Sequence, residues 1–250
     1  MKLTKQRVNG ISAGFTKLRL TKYPQSCFVI ESAGKKIMID PGIFFAEKFK
    51  AADFLDVTAV LFTHQHIDHL DIASVKLFAA NKIPIYGNAD VAAKLSAENV
   101  KVNEVSGRKK FFVAGFEIEP VDLPHCQLRQ CKVCKNKIWN QPSCKDHQNQ
   151  VETLDGPQNT GFLVDGVFFH PGDGVEIENV IAKNAGVPIV GPTITYADAW
   201  LFAEQIKAKT VIPMHYDHLG FLNRDPNEFA KLVPKGIDVR ILENGESTEL

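Results

Sequence analysis

"VTAVLFTHQHIDHLD", residues 57–71, decides how this chain is read. Its first half is a continuous apolar run of strand length, the pattern of a strand buried on both faces. Its second half turns polar at once and places His64, His66, Asp68 and His69 within six residues. Neutral imidazole is the commonest metal-ligating side chain, and carboxylate suits hard or borderline cations. Residues two apart in an extended segment point the same way, so His64 and His66 can grip one ion together. Asp68 and His69 lie past the bend, where the chain reaches a neighbouring position. A polar loop without a ligand is the plain alternative. The whole chain has only eight histidines in 250 residues, which makes metal binding the better expectation.

On the N-terminal side, "KLRL", "SCFVIES" and "KKIMIDPG" read as strands, the last two joined by a hairpin at Gly34. On the C-terminal side, "DIASVKLFAANK" and "ADVAAKLSAENV" have helical apolar spacing and flank the strand "IPIYG". "KKFFVAGFEIEPVDLPH" reads as a hairpin around Ala114–Gly115, and "TGFLVDGVFFHPGDG" as another at Asp165–Gly166. Beyond it, "EIENVIAKN" and "YADAWLFAEQIKA" are amphipathic at helical spacing, with "PIVGPT" between them. "KTVIPMHY" is strand-like, "PNEFAKLV" is a Pro-initiated helix, and "DVRILENGE" closes as strand and turn. The pattern is one α/β domain over residues 1–250, interrupted at 126–150 by a polar, Cys-rich insertion.

"HQHIDH" resembles the HxHxDH signature of the metallo-β-lactamase superfamily, and later landmarks follow in the same order. "IMIDPG" resembles its early Asp motif, with Asp40 as a buried support for the metal loop. His125 ends "PVDLPH", Asp173 lies in "HPGDG" and His215 in "IPMHY". The resemblance implies an αββα sandwich with the metals at one edge between the sheets. It assigns His64, His66 and His125 to a first ion, Asp68, His69 and His215 to a second, and Asp173 to both. Two divalent ions about 3.5–4 Å apart can share a water and lower its pKa, giving a hydroxide that attacks a carbonyl or phosphorus. Asp68 could orient that water or take its proton. Zn²⁺ is the expected metal, with Mn²⁺ or Fe as alternatives.

"GDG" departs from the usual "GDT" of the family and lacks its hydroxyl. His170 reads as a core or supporting imidazole. Tyr216 and His218 are candidates for substrate contact only through their nearness to His215. "GPTITYADAWLFAEQIKAKTVIPMHY" resembles the branch of ascorbate phosphate lactonases and N-acylphosphatidylethanolamine-hydrolysing phospholipases. The bond is then a lactone or other carboxylic ester, or a phosphodiester.

Four of the five cysteines crowd into "CQLRQCKVCKNKIWNQPSCKDH", directly behind His125. Disulfides, a redox pair and a metal site are the candidate readings. Cys131-x-x-Cys134 and Cys144-x-x-His147 have the spacing of two zinc knuckles, with Cys126 as a possible substitute ligand. A redox pair leaves the second Cys/His pair unexplained. A structural Zn²⁺ is therefore the expectation, over an insertion that overhangs the active-site mouth. Its Arg129, Lys132, Lys135, Lys137 and Lys145 face only Asp146 in sequence, which suits either a solvated loop or attraction of an anionic or phosphorylated small molecule.

Lys plus Arg and Asp plus Glu are 29 each, and no stretch is apolar enough for a membrane span. The start shows no secretory pattern, so a cytoplasmic location is the default expectation. A di-iron redox enzyme of the same fold is the second function class. A nucleic-acid-binding or nuclease protein using the knuckle is the third, disfavoured by the neutral charge.

Overall fold

A computed structural model describes residues 17–138, 143–217 and 224–250. The apolar half of the opening stretch forms β4 (Ala59–Phe62), buried throughout. It runs parallel to its neighbours β3 (Lys35–Ile39) and β5 (Ile85–Gly87). With β1 (Arg19–Lys22), β2 (Phe28–Ser32), β6 (Val102–Glu104) and β17 (Ser247–Glu249) these make a sheet ordered β17-β1-β2-β3-β4-β5-β6. A second sheet is built from β7 (Phe111–Val113), β8 (Phe116–Asp122), β12 (Thr160–Val164), β13 (Phe168–His170), β14 (Asn184–Pro188), β15 (Thr210–Met214) and β16 (Asp238–Val239). Its order is β16-β15-β14-β13-β12-β8-β7.

Alternation along the strands sorts the side chains into layers. Ile37, Ile39, Ala59 and Leu61 of the first sheet meet Ile118, Phe162, Val164 and Met214 of the second in the central core. Met38, Val60 and Phe62 point the other way, onto α1 (Ile43–Lys48), α2 (Ile72–Ala80) and α3 (Ala89–Ser96). Ala185, Val187 and Val211 pack outward on α4 (Tyr196–Gln205) and α5 (Pro226–Lys231). The architecture is therefore the expected αββα sandwich. The caps are local: Asp71 accepts from Ser74 N at α2, and Thr195 and Asp198 close a capping box at α4. The hairpins turn at Ala33–Gly34, Ala114–Gly115 and Asp165–Gly166, each pair in left-handed backbone.

One expected element is absent. "EIENVIAKN" is not a helix; its end opens β14, which starts at Asn184. Asn179 takes a left-handed φ of 58, and the Arg108 guanidinium occupies the carbonyls of Glu178 and Asn179. Val180 and Ala182 are buried while Ile181 is exposed, so the three apolar residues obey a period of two. "PIVGPT" accordingly only finishes the strand, at Pro188.

Within the Cys-rich region, β9 (Leu128–Cys131) pairs antiparallel with β10 (Lys137–Ile138) and with β11 (Val151–Leu154).

Candidate metal centre

Loops that follow the carboxyl ends of four strands supply the candidate ligands. The loop after β4 carries His64, His66, Asp68 and His69; His125 follows β8, Asp173 follows β13, and His215 follows β15. Two separate groups converge, each with ligand atoms within 4.8 Å of one another: His64, His66, His125 and Asp173, and Asp68, His69, Asp173 and His215. Asp173 is common to both.

The hydrogen bonds fix which imidazole nitrogen faces inward. Thr63 Oγ1 donates to Asp40 Oδ2 at 2.6 Å, so it accepts from His64 Nδ1 at 3.0 Å. His69 Nδ1 donates to Asp40 Oδ2 at 2.7 Å, His125 Nδ1 to the Cys126 carbonyl at 2.6 Å, and His215 Nδ1 to the Val190 carbonyl at 2.9 Å. Each of these four rings is left with Nε2 aimed at the cluster. The Nε2 atoms of His64, His69 and His125, and Oδ1 of Asp173, are buried without an aligned hydrogen bond. Buried polar atoms are ordinarily satisfied, and four orphans within these two groups fit the role of cation ligands.

Asp173 divides its carboxylate between the groups. Oδ2 lies 3.6 Å from His125 Nε2 and 4.0 Å from His64 Nε2; Oδ1 lies 3.0 Å from His69 Nε2 and 3.2 Å from His215 Nε2. Ligands sharing an ion through bonds of about 2.0–2.2 Å stand roughly 3–4 Å apart, so the donor set fits two ions with one carboxylate between them.

A family model described as a beta-lactamase superfamily domain matches residues 19–215. The chain belongs to the metallo-β-lactamase superfamily. It is homologous to a UPF0173 metal-dependent hydrolase of Staphylococcus aureus strain MRSA252, 28% identical over 248 residues, spanning 93% of this chain and 100% of that protein. Among solved structures, the metallo hydrolase Igni18 of Ignicoccus hospitalis superposes with a TM-score of 0.65 at 20% identity, over 94% of this chain and 99% of that one. An isothiocyanate hydrolase from Delia radicum gut bacteria gives 0.61 at 18%, over 92% and 98%. A diphosphatase of the PhnP family gives 0.62 at 16%, over 94% and 97%.

In this superfamily member the electrostatics separate the two ligand groups. Burial drives His64 well below the ordinary imidazole pKa and takes His66 down to about 4. His69 and His215 are buried too, but the carboxylates of Asp173 and its neighbours outweigh burial, holding His69 well up and His215 at about 10. Asp68 and Asp173 are correspondingly held well below the usual carboxylate range, despite burial, by His69 and His215.

Asp40 anchors the histidine loop through its hydrogen bonds. Fully buried, it accepts from Thr63 N, Thr63 Oγ1 and His69 Nδ1. Both Asp40 and His215 sit in left-handed backbone, φ 53 and 65, a strained state for a residue with a Cβ and one that gathers at functional sites. His170 supports from the other side: its Nε2 donates to the Ser26 carbonyl at 2.8 Å and its Nδ1 accepts from Gly172 N at 3.1 Å. Tyr216 packs on its neighbours with the Lys22 ammonium 4.9 Å from its ring centre, and His218 lies outside the described residues.

Three supporting residues escaped the sequence reading. Thr63 links Asp40 to His64, and Asn159 Oδ1 accepts from Asp173 N at 3.4 Å. Lys22, 1% exposed, reaches across the fold to Asp217 at 2.6 Å and so ties down the chain leaving His215. Only Thr63, next to the histidine motif, carried a signal. The missing hydroxyl of "GDG" also has a cause: a Cβ on Gly174 would stand 2.7 Å from both Leu123 Cδ1 and the Pro124 carbonyl.

Two cavities flank His125, of about 690 Å³ and about 430 Å³. Among the described residues the larger has Asp122, Glu176, Glu178 and Asp198 in its lining and no Lys or Arg, with the Asp198 carboxylate held in the α4 capping box and that of Asp122 by Thr160 Oγ1 and Gly107 N. Gly156, in the wall of the smaller one, runs so close that a Cβ there would fall 2.5 Å from His125 Nδ1. Cys131, Cys134, Cys144 and His147 form a third group of converging donors. Cys126 is not part of it; its backbone N–H bonds the Asp173 carbonyl and its thiol lies by Gly191.

Proposed function

We propose that this protein is a dinuclear metal-dependent hydrolase, and that its substrate is a small carboxylic ester or lactone. The observation that carries the reading is the split Asp173 carboxylate, one oxygen toward each histidine group. His64, His66, His125 and Asp173 would hold one ion, and Asp68, His69, His215 and Asp173 the other. When bound, the ions supply a Lewis acid for the substrate oxygen and acidify water to near neutrality. Asp68 is the carboxylate among the ligands that is most open, 19% exposed, and it is steadied by His215 Nε2 at 3.1 Å and Gln25 Nε2 at 3.4 Å. It is placed to receive the water's proton and pass it to the leaving oxygen. No Ser or Cys nucleophile is needed.

The cavity beside His125 supports a neutral ester over a phosphodiester, because Glu176 and Glu178 in its lining, with no Lys or Arg among the described residues there, would repel a phosphate. The test is a panel of lactones, esters and phosphodiesters assayed on Zn²⁺- or Mn²⁺-loaded protein, with His66→Ala as control. Ester turnover that chelation abolishes and His66→Ala lacks supports the proposal. Turnover of phosphodiesters alone would reassign the substrate, and stoichiometric iron with redox activity would overturn hydrolysis.

A further inference from the structure

We propose that Cys131, Cys134, Cys144 and His147 bind a third, purely structural metal ion, and that this ion holds the wall of the active site through the two chain segments that pack at His125. The second half of this statement rests on the reading of His125 as a catalytic-metal ligand; the first half does not.

The four donors have the dimensions of a tetrahedral site. Metal–sulfur bonds of about 2.3 Å and metal–nitrogen bonds of about 2.0–2.1 Å imply sulfur–sulfur edges of roughly 3.8 Å and sulfur–nitrogen edges of roughly 3.5–3.6 Å. Cys134 Sγ and Cys144 Sγ are 3.8 Å apart, Cys131 Sγ is 3.5 Å from His147 Nδ1, and Cys144 Sγ is 3.7 Å from it. A disulfide needs its sulfurs at about 2.0 Å, so the cluster is not a bridge held open. Val133 N donates to Cys131 Sγ at 3.4 Å, the bond a thiolate ligand receives from its own turn. Three sulfurs and one imidazole form a closed set that suits zinc and leaves no position for substrate.

Among its described residues the region has little apolar packing to order it. Its buried cluster, among the described residues, is Cys131, Ile138 and Cys144, with Cys134 and Val151 against them. So small an apolar cluster does not offset the entropy of ordering three short strands, whereas a metal does.

The connection to the active site is covalent and short. His125 and Cys126 lead directly into β9, which carries ligand Cys131. The partner strand β11 pairs Val151 with Cys131 and Leu154 with Leu128, then delivers Gly156 onto the His125 ring. The metal thus fixes the relative position of the strand that leaves His125 and the one that returns to back it.

The test uses the full-length protein loaded with Co²⁺. Thiolate ligands give Co²⁺ an intense near-ultraviolet charge-transfer absorption, and neither group of active-site ligands contains a thiol. The wild-type protein is expected to show that band and Cys134→Ser to lose it, together with about one metal ion per chain. Cys126→Ala is expected to keep it. No band in the wild type, a band unchanged in Cys134→Ser, or a band lost in Cys126→Ala would each overturn the third site. Limited proteolysis gives a readout independent of activity: zinc should protect residues 126–157 in the wild type and not in Cys134→Ser, and equal cleavage in both would count against the site. For the wall, Cys134→Ser with its catalytic metals still bound should lose roughly tenfold or more in kcat/KM, as loss of support for a metal ligand does. Full activity in a variant without the third ion would refute that coupling. If the hydrolase reading itself fails, the thiolate band and its loss in Cys134→Ser still stand.

Discussion

His69 Nδ1 and Asp40 Oδ2 lie 2.7 Å apart with both side chains fully buried, and this pair turns Nε2 of the His69 ring toward the candidate metal centre. Asp40→Asn puts an amide in place of the accepting oxygen, opposite a ring N–H. The second ion should then bind roughly 10–100-fold more weakly, while the site built on His64, His66 and His125, which Asp40 reaches only through Thr63, should weaken less. Competition titration with a chromophoric chelator resolves the two affinities; equal weakening of both would contradict the assignment.

His215 separates the two sites at the other end. His215→Ala should leave one ion at the first site and cut turnover by about 100-fold or more, since a single ion cannot clamp both reacting oxygens. Metal analysis alongside kinetics is the check, and a variant that retains both ions with full turnover would show that His215 is no ligand.

The raised pKa values of His69 and His215 set a pH dependence. In protein stripped by chelation, both rings are protonated at neutral pH and paired with Asp68 and Asp173. That pairing stabilises the metal-free fold fully below the ordinary imidazole pKa of about 6.5, and the stabilisation fades as pH rises through His215's value of about 10. Metal must displace one proton from each ring, so loading of the second site should strengthen with rising pH and release about two protons near neutrality. Calorimetry in buffers of different ionisation enthalpy counts them; zero release would be inconsistent with this electrostatic picture.

Gly174 gives a prediction against the family pattern. Gly174→Thr, which restores the usual motif, should destabilise the protein by about 1–3 kcal/mol, because the new side chain meets Leu123 and Pro124. Thermal unfolding is the measurement, and a neutral or stabilising result would mean that the Pro124 loop yields.

Gly156→Ala should cost stability, by about 1–3 kcal/mol, and lower activity as well, because its Cβ would crowd the buried His125 side chain from ring to Cβ. A tenfold or larger fall in kcat/KM is expected, on the order of effects seen when a ligand's support is disturbed. Unchanged kinetics would show that His125 tolerates displacement.

Much of this was legible in the residues. The apolar run ending in clustered histidines yielded β4 and its loop, because a doubly buried strand and a ligand-rich turn leave strong local signals. Asp173 and His215 were reachable only through the resemblance: a lone carboxylate after "HPG" says nothing by itself. The segment 176–184 was misread because Ile177, Val180 and Ile181 satisfy helical spacing over too few residues to exclude an extended chain, and Arg108, which occupies its carbonyls, comes from a distant part of the chain. Lys22 could not be foreseen, since its partner Asp217 is 195 residues away. The basic residues of the insertion suited either a solvated loop or an anionic substrate, and the acidic residues in the lining of the cavity beside His125 favour the solvated loop.

Leu128 and Leu154 face each other across β9 and β11, so the Cys-rich segment leaves and re-enters the sandwich at one point. A module with a single doorway can be swapped, shortened or enlarged without re-threading either sheet. The strands that carry the candidate metal ligands are thereby insulated from changes in the length of that segment.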